Sequence, residues 1–329
     1  MATLYVIEQG ATVSKADGRI VVRKRRKILE EIPAIKVAQI VIFGNAQFTT
    51  PAVRFVLENN IDVAYLSSQG KYRGRLQLEP CKNASLRQNQ YKRSLAPQFC
   101  LCISRNIVAG KIQNLLSFCQ RQRDKGSGLR GSLNTLRKSL RQVRTADTLD
   151  KVRGYEGAAS AAYYTAFGHF LKVDLGFNGR NRHPPSDPVN ALLSLGYTLL
   201  YNNVQSAINI VGLDPYQGFF HQTKHGHAAL ASDLVEEWRA VIVDSIVLHL
   251  INGGALRKKD FRKTRDGIRL KPDGLEKFLK RYDGRLATEV LYSPLGCRLS
   301  YRQCFELQVR HLADVILGKE KLYVPYRTR

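Results

Sequence analysis

The apolar residues of this chain change their period once, and that change limits the folds open to it. Up to about residue 80 they fall in short β-rich runs, "TLYVIE", "RIVVRK", "AQIVIFG", "IDVAYL" and "KYRGRLQL", separated by turn signals. Beyond "EPCKNAS" they recur at three and four through long segments such as "ISRNIVAGKIQNLLSFCQ". The fold class is therefore α+β: a small N-terminal β-rich domain over residues 1–80, then an all-helical domain over 81–329, with the boundary between Pro80 and Ser85. A length of 329 residues suits two such domains, each with its own core. One segment, "TTPAVRFVLENN", interrupts the strands as a short helix, with Thr49 or Thr50 as N-cap and Pro51 at the first helical position.

The helical part has a marked charge texture. From Cys81 to Thr145 there are 14 Lys/Arg and one acid, Asp124, so these helices carry strongly basic exposed faces. "TADTLDKVRGYEGAASAAYYTAFGHFL" follows, capped by Thr145 or Asp147. Past the loop "GFNGRNRHPPSDPVN", Ser186 or Asp187 caps a helix that is apolar on most of its circumference and belongs in the core. Gly212 and Pro215 end it, and "AALASDLVEEWRAVIVDSIVLHLI" forms the next helix. The basic segment from Leu256 to Arg285 reads as loop and short helix, ahead of a last helix near "SYRQCFELQVRHLADVILG" and a basic tail.

Several function classes drop out. No apolar run approaches the roughly 18 residues that span a bilayer, and "MATLYVIEQG" lacks a basic n-region and an apolar h-region, which predicts a cytosolic protein. The six cysteines are scattered, and "CLC" lacks the spacer of zinc ribbons, so reduced thiols are expected. A formal net charge of +25, from 52 basic and 27 acidic residues, costs self-repulsion that a polyanion relieves. There is no basic amphipathic helix with an aromatic opposite face, so the expected polyanion is nucleic acid rather than membrane.

Against that background, "GFFHQTKHGHAALASDLVEEWR" places His221, His225 and His227 just ahead of Asp233, Glu236 and Glu237. At about 100° per residue, Asp233, Glu236, Glu237 and Asp244 share an arc of roughly 100° on a helix too apolar to be a surface element. Buried carboxylates need a cation, a hydrogen-bond donor or a proton. Lysines or arginines from other helices would serve, and so would a metal. A third segment, "RGYEGAASAAYY", holds Glu156 between Gly154 and Gly157 and ahead of alanines small enough for close helix approach. An ion pair with Arg153 or a distant lysine is the plain alternative for Glu156. Two carboxylates and an imidazole converging from these segments would form a mixed oxygen and nitrogen site, suited to Mn²⁺ or Mg²⁺ rather than to a closed thiolate zinc site.

In that order after a small β domain, "RGYEGAASAAYY", "RNRHPPSDPVNALLSLGYTLLY" and "GLDPYQGFFHQTKHGHAALASDLVEEWRAVIVD" resemble the CRISPR-associated integrase and endonuclease family, whose members insert new spacers into CRISPR arrays. The resemblance spans nearly the whole chain. It implies an N-terminal β-sandwich, a helical catalytic domain, a homodimer formed largely through the β domains, and a small ferredoxin-like companion protein. It maps the family's catalytic metal ligands onto Glu156, His221 and Glu236, with Asp233 as an accessory carboxylate and Mn²⁺ or Mg²⁺ as the cofactor. The implied reaction is attack by the 3′-hydroxyl of an incoming double-stranded DNA fragment on a phosphodiester of the array, without a covalent enzyme intermediate. Arg180, Arg182, Lys224 and Tyr163 are candidate DNA contacts, with Tyr155 and Tyr164 as further stacking candidates and His225 and His227 as loop residues within reach of DNA. Two other classes stay open: a hydrolytic nuclease acting on single-stranded or branched DNA, separated by its product, and a non-catalytic nucleic-acid binder, separated by indifference to chelation.

Overall fold

The computed structural model describes residues 2–68, 70–76, 83–122, 129–181, 184–265, 267–293 and 295–328. The N-terminal region consists of β1 (Ala2–Val6), β2 (Thr12–Ala16), β3 (Arg19–Lys24), β4 (Lys27–Pro33), β5 (Val37–Phe43), β6 (Gln47–Phe48), the helix α1 (Thr50–Glu58), β7 (Asp62–Leu66) and β8 (Tyr72–Leu76). They form two four-stranded sheets, ordered β1-β5-β7-β8 and β4-β3-β2-β6. In the first, β1, β5 and β7 run parallel and β8 returns antiparallel to β7. One apolar cluster draws Leu4, Val6, Ile40, Ile42 and Val63 from this sheet, Val13, Ile20 and Val22 from the other, and Phe55 and Val56 from α1. The opposite face of the first sheet is covered too, because Val41, Phe43 and Leu66 belong to the core shared with the helices. That double burial explains why "AQIVIFG" is apolar without alternation. Thr49 is the N-cap of α1, its hydroxyl accepting from the Ala52 amide, and Pro51 sits in the first turn as expected.

The expected boundary at 80–85 lies partly outside the described residues. After it come α2 (Ala84–Ser94), α3 (Pro97–Arg121), α4 (Leu129–Thr145), α5 (Leu149–His169), α6 (Pro188–Val211), α7 (Ala229–Val235), α8 (Ser245–Asn252), α9 (Pro272–Ala287) and α10 (Tyr301–Ile316). α3 and α6 form the centre of the large core, with α5 and the α7–α8 segment laid against them. Asp187 caps α6 through the Asn190 amide at 2.9 Å, and Gly212 closes it at φ 94°, a backbone region that favours glycine. The cap of α5 is Thr148, not Thr145 or Asp147, since Asp147 is drawn into a pair with Lys151.

The expectation of an all-helical C-terminal part needs correction. It carries two short hairpins, β9 (Phe261–Thr264) with β10 (Gly267–Leu270) and β11 (Glu289–Tyr292) with β12 (Cys297–Ser300). The run taken for loop and short helix, Leu256 to Arg285, is a hairpin followed by the 16-residue α9. Phe261 and Tyr292 bury themselves in the helical core, so strands this short gain their stability from tertiary packing, which a local basic sequence does not advertise.

Candidate active site

The segment from Ala229 to Asn252 is not one continuous α-helix. α7 ends at Val235; Glu236 and Trp238 make tight backbone bonds back to Asp233 and Val235, and Ala240–Asp244 winds as a π-helix before α8 begins. Tightening followed by widening breaks the count of 100° per residue, and the four acids that were expected to share one stripe go to four different places.

Asp233 is fully buried and receives four donors. The backbone amides of Phe219 and Phe220 donate to Oδ2 at 2.6 and 3.0 Å, and the amide and ring Nδ1 of His221 lie 2.8 and 2.7 Å from Oδ1. A carboxylate acceptor makes Nδ1 the protonated ring nitrogen of His221 and leaves Nε2 with its lone pair, the usual preparation of a metal-binding imidazole. The Asp233 lone pairs are thus engaged in positioning the loop, and the accessory-ligand role gives way to an orienting one. Gly218 makes the approach feasible, since a Cβ there would stand 2.8 Å from Asp233 Oδ2 and 2.9 Å from the Ala229 backbone.

Glu237 turns the other way, toward the C-terminal tail. The Tyr323 hydroxyl donates to Oε1 at 2.5 Å and the Tyr326 amide to Oε2 at 2.7 Å. Burial, only partly offset by these donors, pushes its pKa up to about 8. Asp244 accepts from the Tyr163 hydroxyl at 2.7 Å and from Tyr197, whose hydroxyl lies 2.8 Å from that of Tyr164. Burial lifts the Asp244 carboxyl to about 6 against those tyrosines and Arg239.

Glu236 alone of the four joins Glu156. Lys111, from the middle of α3, touches Glu156 Oε1 and lies 2.6 Å from Glu236 Oε2, while Arg239 lies 3.0 Å from Glu236 Oε1 and Ser160 donates to Glu156 Oε1 at 2.8 Å. Burial would raise the Glu236 carboxyl, but Arg239 and then Lys111 outweigh it and hold it near about 2. For Lys111 burial opposes the charge, and Glu236 with Glu156 reverses that, so the ammonium persists. Glu236 Oε2 is buried with the Lys111 ammonium at 2.6 Å, a charge contact whose angle falls short of good hydrogen-bond geometry. Among the described residues no three His, Cys, Asp or Glu side chains meet as a ready ligand group, because the Lys111 ammonium stands between the two carboxylates. A buried carboxylate held mainly by charge, a second carboxylate and an imidazole prepared at Nε2 still form a donor set chemically suited to a hard divalent cation.

The surroundings revise other expectations. Arg153 pairs with Asp150 at 2.7 Å, so the distant-lysine alternative for Glu156 is the one realised, by Lys111. Gly154, Gly157, Ala158 and Ala161 do not admit neighbouring helices. They are exposed, and a Cβ on Gly154 or Gly157 would meet nothing within 4 Å; α5 buries the face of Val152, Ala159, Tyr163, Ala166 and Phe167, so of the small residues in "RGYEGAASAAYY" Ala159 is the one packed against the core. Tyr163 is 1% exposed and cannot stack on a base. Arg180 is half-buried, donating to Asn190 and Ser194 of α6 at 2.8 and 3.1 Å, whereas Lys224 and His225 are exposed on the His221 loop. Arg182 lies outside the described residues. Lys111, Arg239 and Ser160 were not anticipated. Lys111 did leave a signal, a single cation inside "NIVAGKIQNLL", and Ser160 stands four residues after Glu156 on the same helix face.

Residues 4–284 match the family described as CRISPR associated protein Cas1. The chain is 37% identical to CRISPR-associated endonuclease Cas1 3 of Thermus thermophilus, covering 100% of this chain and 98% of that one. This chain belongs to the Cas1 family. It is therefore an enzyme of the CRISPR-associated endonuclease class. Among solved structures it is similar to a casposase bound to integration product, with a TM-score of 0.88, 24% identity and coverage of 100% of this chain and 95% of that chain, a likeness of fold. It is also similar to the Cas1-containing chain of a Cas6-RT-Cas1–Cas2 complex, with a TM-score of 0.85 and 26% identity, covering 98% of this chain and 36% of that chain. In Cas1 terms, the mixed α+β architecture, strands first and then mostly helices, is the family's, and no helix among the described residues is long and apolar enough to cross a membrane.

Proposed function

We propose that this Cas1 chain joins the 3′-hydroxyl ends of incoming double-stranded DNA to a CRISPR array by phosphodiester transesterification, at a site made of Glu156, His221 and Glu236. The observation that carries this reading is the meeting of Glu156 and Glu236, 80 residues apart, on one buried cation, with the His221 ring turned so that Nε2 keeps its lone pair. A bound Mn²⁺ or Mg²⁺ would supply polarisation of the scissile phosphate and stabilisation of charge on the pentavalent transition state. Asp233 fixes the His221 tautomer, and Arg239 keeps Glu236 ionised at all physiological pH. The exposed glycines and alanines of α5 leave the Glu156 side open enough for a duplex backbone to approach. Arg130, Arg137, Lys138, Arg141 and Arg144 line the exposed face of the neighbouring α4 and would track phosphates without reading sequence.

The same reading extends to assembly. Residues 1–80 form a β-sandwich unit through which two copies pair; the edge strand β4 and the turn after it expose Ile28 (52%) and Ile35 (84%), which supports a covered edge in the dimer. The likeness to a chain solved in a complex with Cas2 supports a companion protein, which the family resemblance makes small and ferredoxin-like, and the reaction is assigned to the prokaryotic cytoplasm.

The test is transfer of label from a duplex with 3′ overhangs to a supercoiled plasmid carrying a CRISPR array, with the companion protein present. Joined product with wild type in Mn²⁺, lost in EDTA and in Glu156→Ala, supports the reading. Free cut ends without joined product would move the assignment to a hydrolytic nuclease, and equal joining by Glu156→Ala would remove the proposed site.

A further inference from the structure

The proposed reaction gives no task to Lys111, yet Lys111 is the residue that holds the site together. Its side chain is 7% exposed, and its ammonium neutralises two carboxylates carried by different helices. No other side chain among the described residues is ion-paired with both. An ammonium and a divalent ion that use the same carboxylate oxygens repel each other and compete for the same space.

We propose that Lys111 is a built-in surrogate cation, which holds Glu156 and Glu236 together in the metal-free protein, withdraws when a divalent ion binds, and so sets the affinity of the site for metal. This rests on the metal reading above. Three features make the exchange feasible. The charge sits on a flexible four-carbon stem, so withdrawal requires new rotamers and no backbone movement. On the Glu236 side the ammonium supplies one positive charge 2.6 Å from Oε2, which a divalent ion replaces with two. Arg239 stays on Glu236 Oε1, so that carboxylate is never left without a counter-charge, while Glu156, 23% exposed, gives the ammonium a way toward solvent. No proton changes hands. One bound cation replaces another, which keeps two carboxylates from facing each other unpaired when metal is scarce.

The experiment measures Mn²⁺ binding by calorimetry to full-length, metal-free wild type and Lys111→Met, with melting curves of both in EDTA and in Mn²⁺. The variant is expected to bind Mn²⁺ about tenfold or more tightly, to melt lower than wild type in EDTA, and to regain the difference when Mn²⁺ is added. Equal or weaker binding by a folded variant overturns the inference. If Lys111→Met does not fold in EDTA, Mg²⁺ is titrated into wild type labelled with ¹³Cε-lysine, with the Lys111 signal assigned from Lys111→Arg. That signal is expected to shift with Mg²⁺ occupancy, and a signal unmoved at saturation overturns the inference. Absence of Mn²⁺ binding by both proteins overturns the metal reading itself, a result that does not depend on Lys111.

Discussion

Gly218→Ala tests whether the His221 loop is held by geometry rather than by chance contact. The added Cβ would stand 2.8 Å from Asp233 Oδ2 and 2.9 Å from both the carbonyl carbon and Cβ of Ala229. Two of those neighbours are fixed by the first turn of α7, and the third is a carboxylate already bound to three amides and an imidazole, so the loop must move outward by several tenths of an ångström. The bonds from Phe219 and Phe220, now 2.6 and 3.0 Å, stretch first. Overpacking of this kind costs about 1–3 kcal/mol, which in a chain of 329 residues lowers the melting temperature by about 1–4 °C. His221 follows the loop, and a misplacement of that order at a reacting centre costs about 10–100-fold in rate. The assay is the label-transfer rate together with a thermal melt. Gly157→Ala is the stability control: nothing lies within 4 Å of its Cβ, in the middle of α5, so stability should hold or rise by about 0.5–1 kcal/mol. A Gly218→Ala protein with wild-type rate and melting temperature would refute the reasoning.

The remaining expectations concern Glu237, the tail and the basic helices. Glu237 has a folded pKa raised to about 8, so the folded state keeps a proton that the unfolded chain loses near its ordinary value; the associated stability is full at low pH and is lost as pH rises through that window. Glu237→Gln should therefore gain on wild type by on the order of 3 kcal/mol between pH 5 and pH 8, and parallel melting curves across that range would contradict it. Truncation after Lys321 removes Tyr323 and Tyr326, strips Glu237 of both donors and uncovers Trp238, which stacks on Tyr326 at 4.3 Å. Because Trp238 is the only tryptophan in the chain, its emission should shift to the red, by a change absent if the tail is merely appended. Replacing Arg137 and Arg141 by Gln should weaken duplex binding equally across sequences and reduce the salt slope by about 1 to 2; a sequence-dependent loss would contradict phosphate tracking.

Most of the fold was legible where the signals are local. The change of period separated strands from helices, and Thr49 with Pro51 and Asp187 with Pro188 marked helix starts that the structure retains. The hairpins at Phe261–Leu270 and Glu289–Ser300 were not legible, because their stability comes from packing onto distant helices. The candidate site was legible as a set of acids but not as an arrangement. A uniform helix put Asp233, Glu236, Glu237 and Asp244 on one stripe, and the turn at Glu236–Trp238 with the π-helix after it sends them to a loop, a lysine, a tail and a tyrosine cluster. Lys111 was masked by its company: composition counts it with 13 other basic residues, and only its apolar neighbours in "NIVAGKIQNLL" set it apart. Gly154 and Gly157 misled for the opposite reason, since small residues permit close approach without requiring it, and here both face open space.

The most direct measurement is the anomalous scattering of a crystal of the full chain soaked in Mn²⁺. The account predicts one strong peak bound by Glu156, His221 Nε2 and Glu236, with Lys111 displaced from both carboxylates. No peak at saturating Mn²⁺, or a peak elsewhere with Lys111 still seated between Glu156 and Glu236, would contradict it.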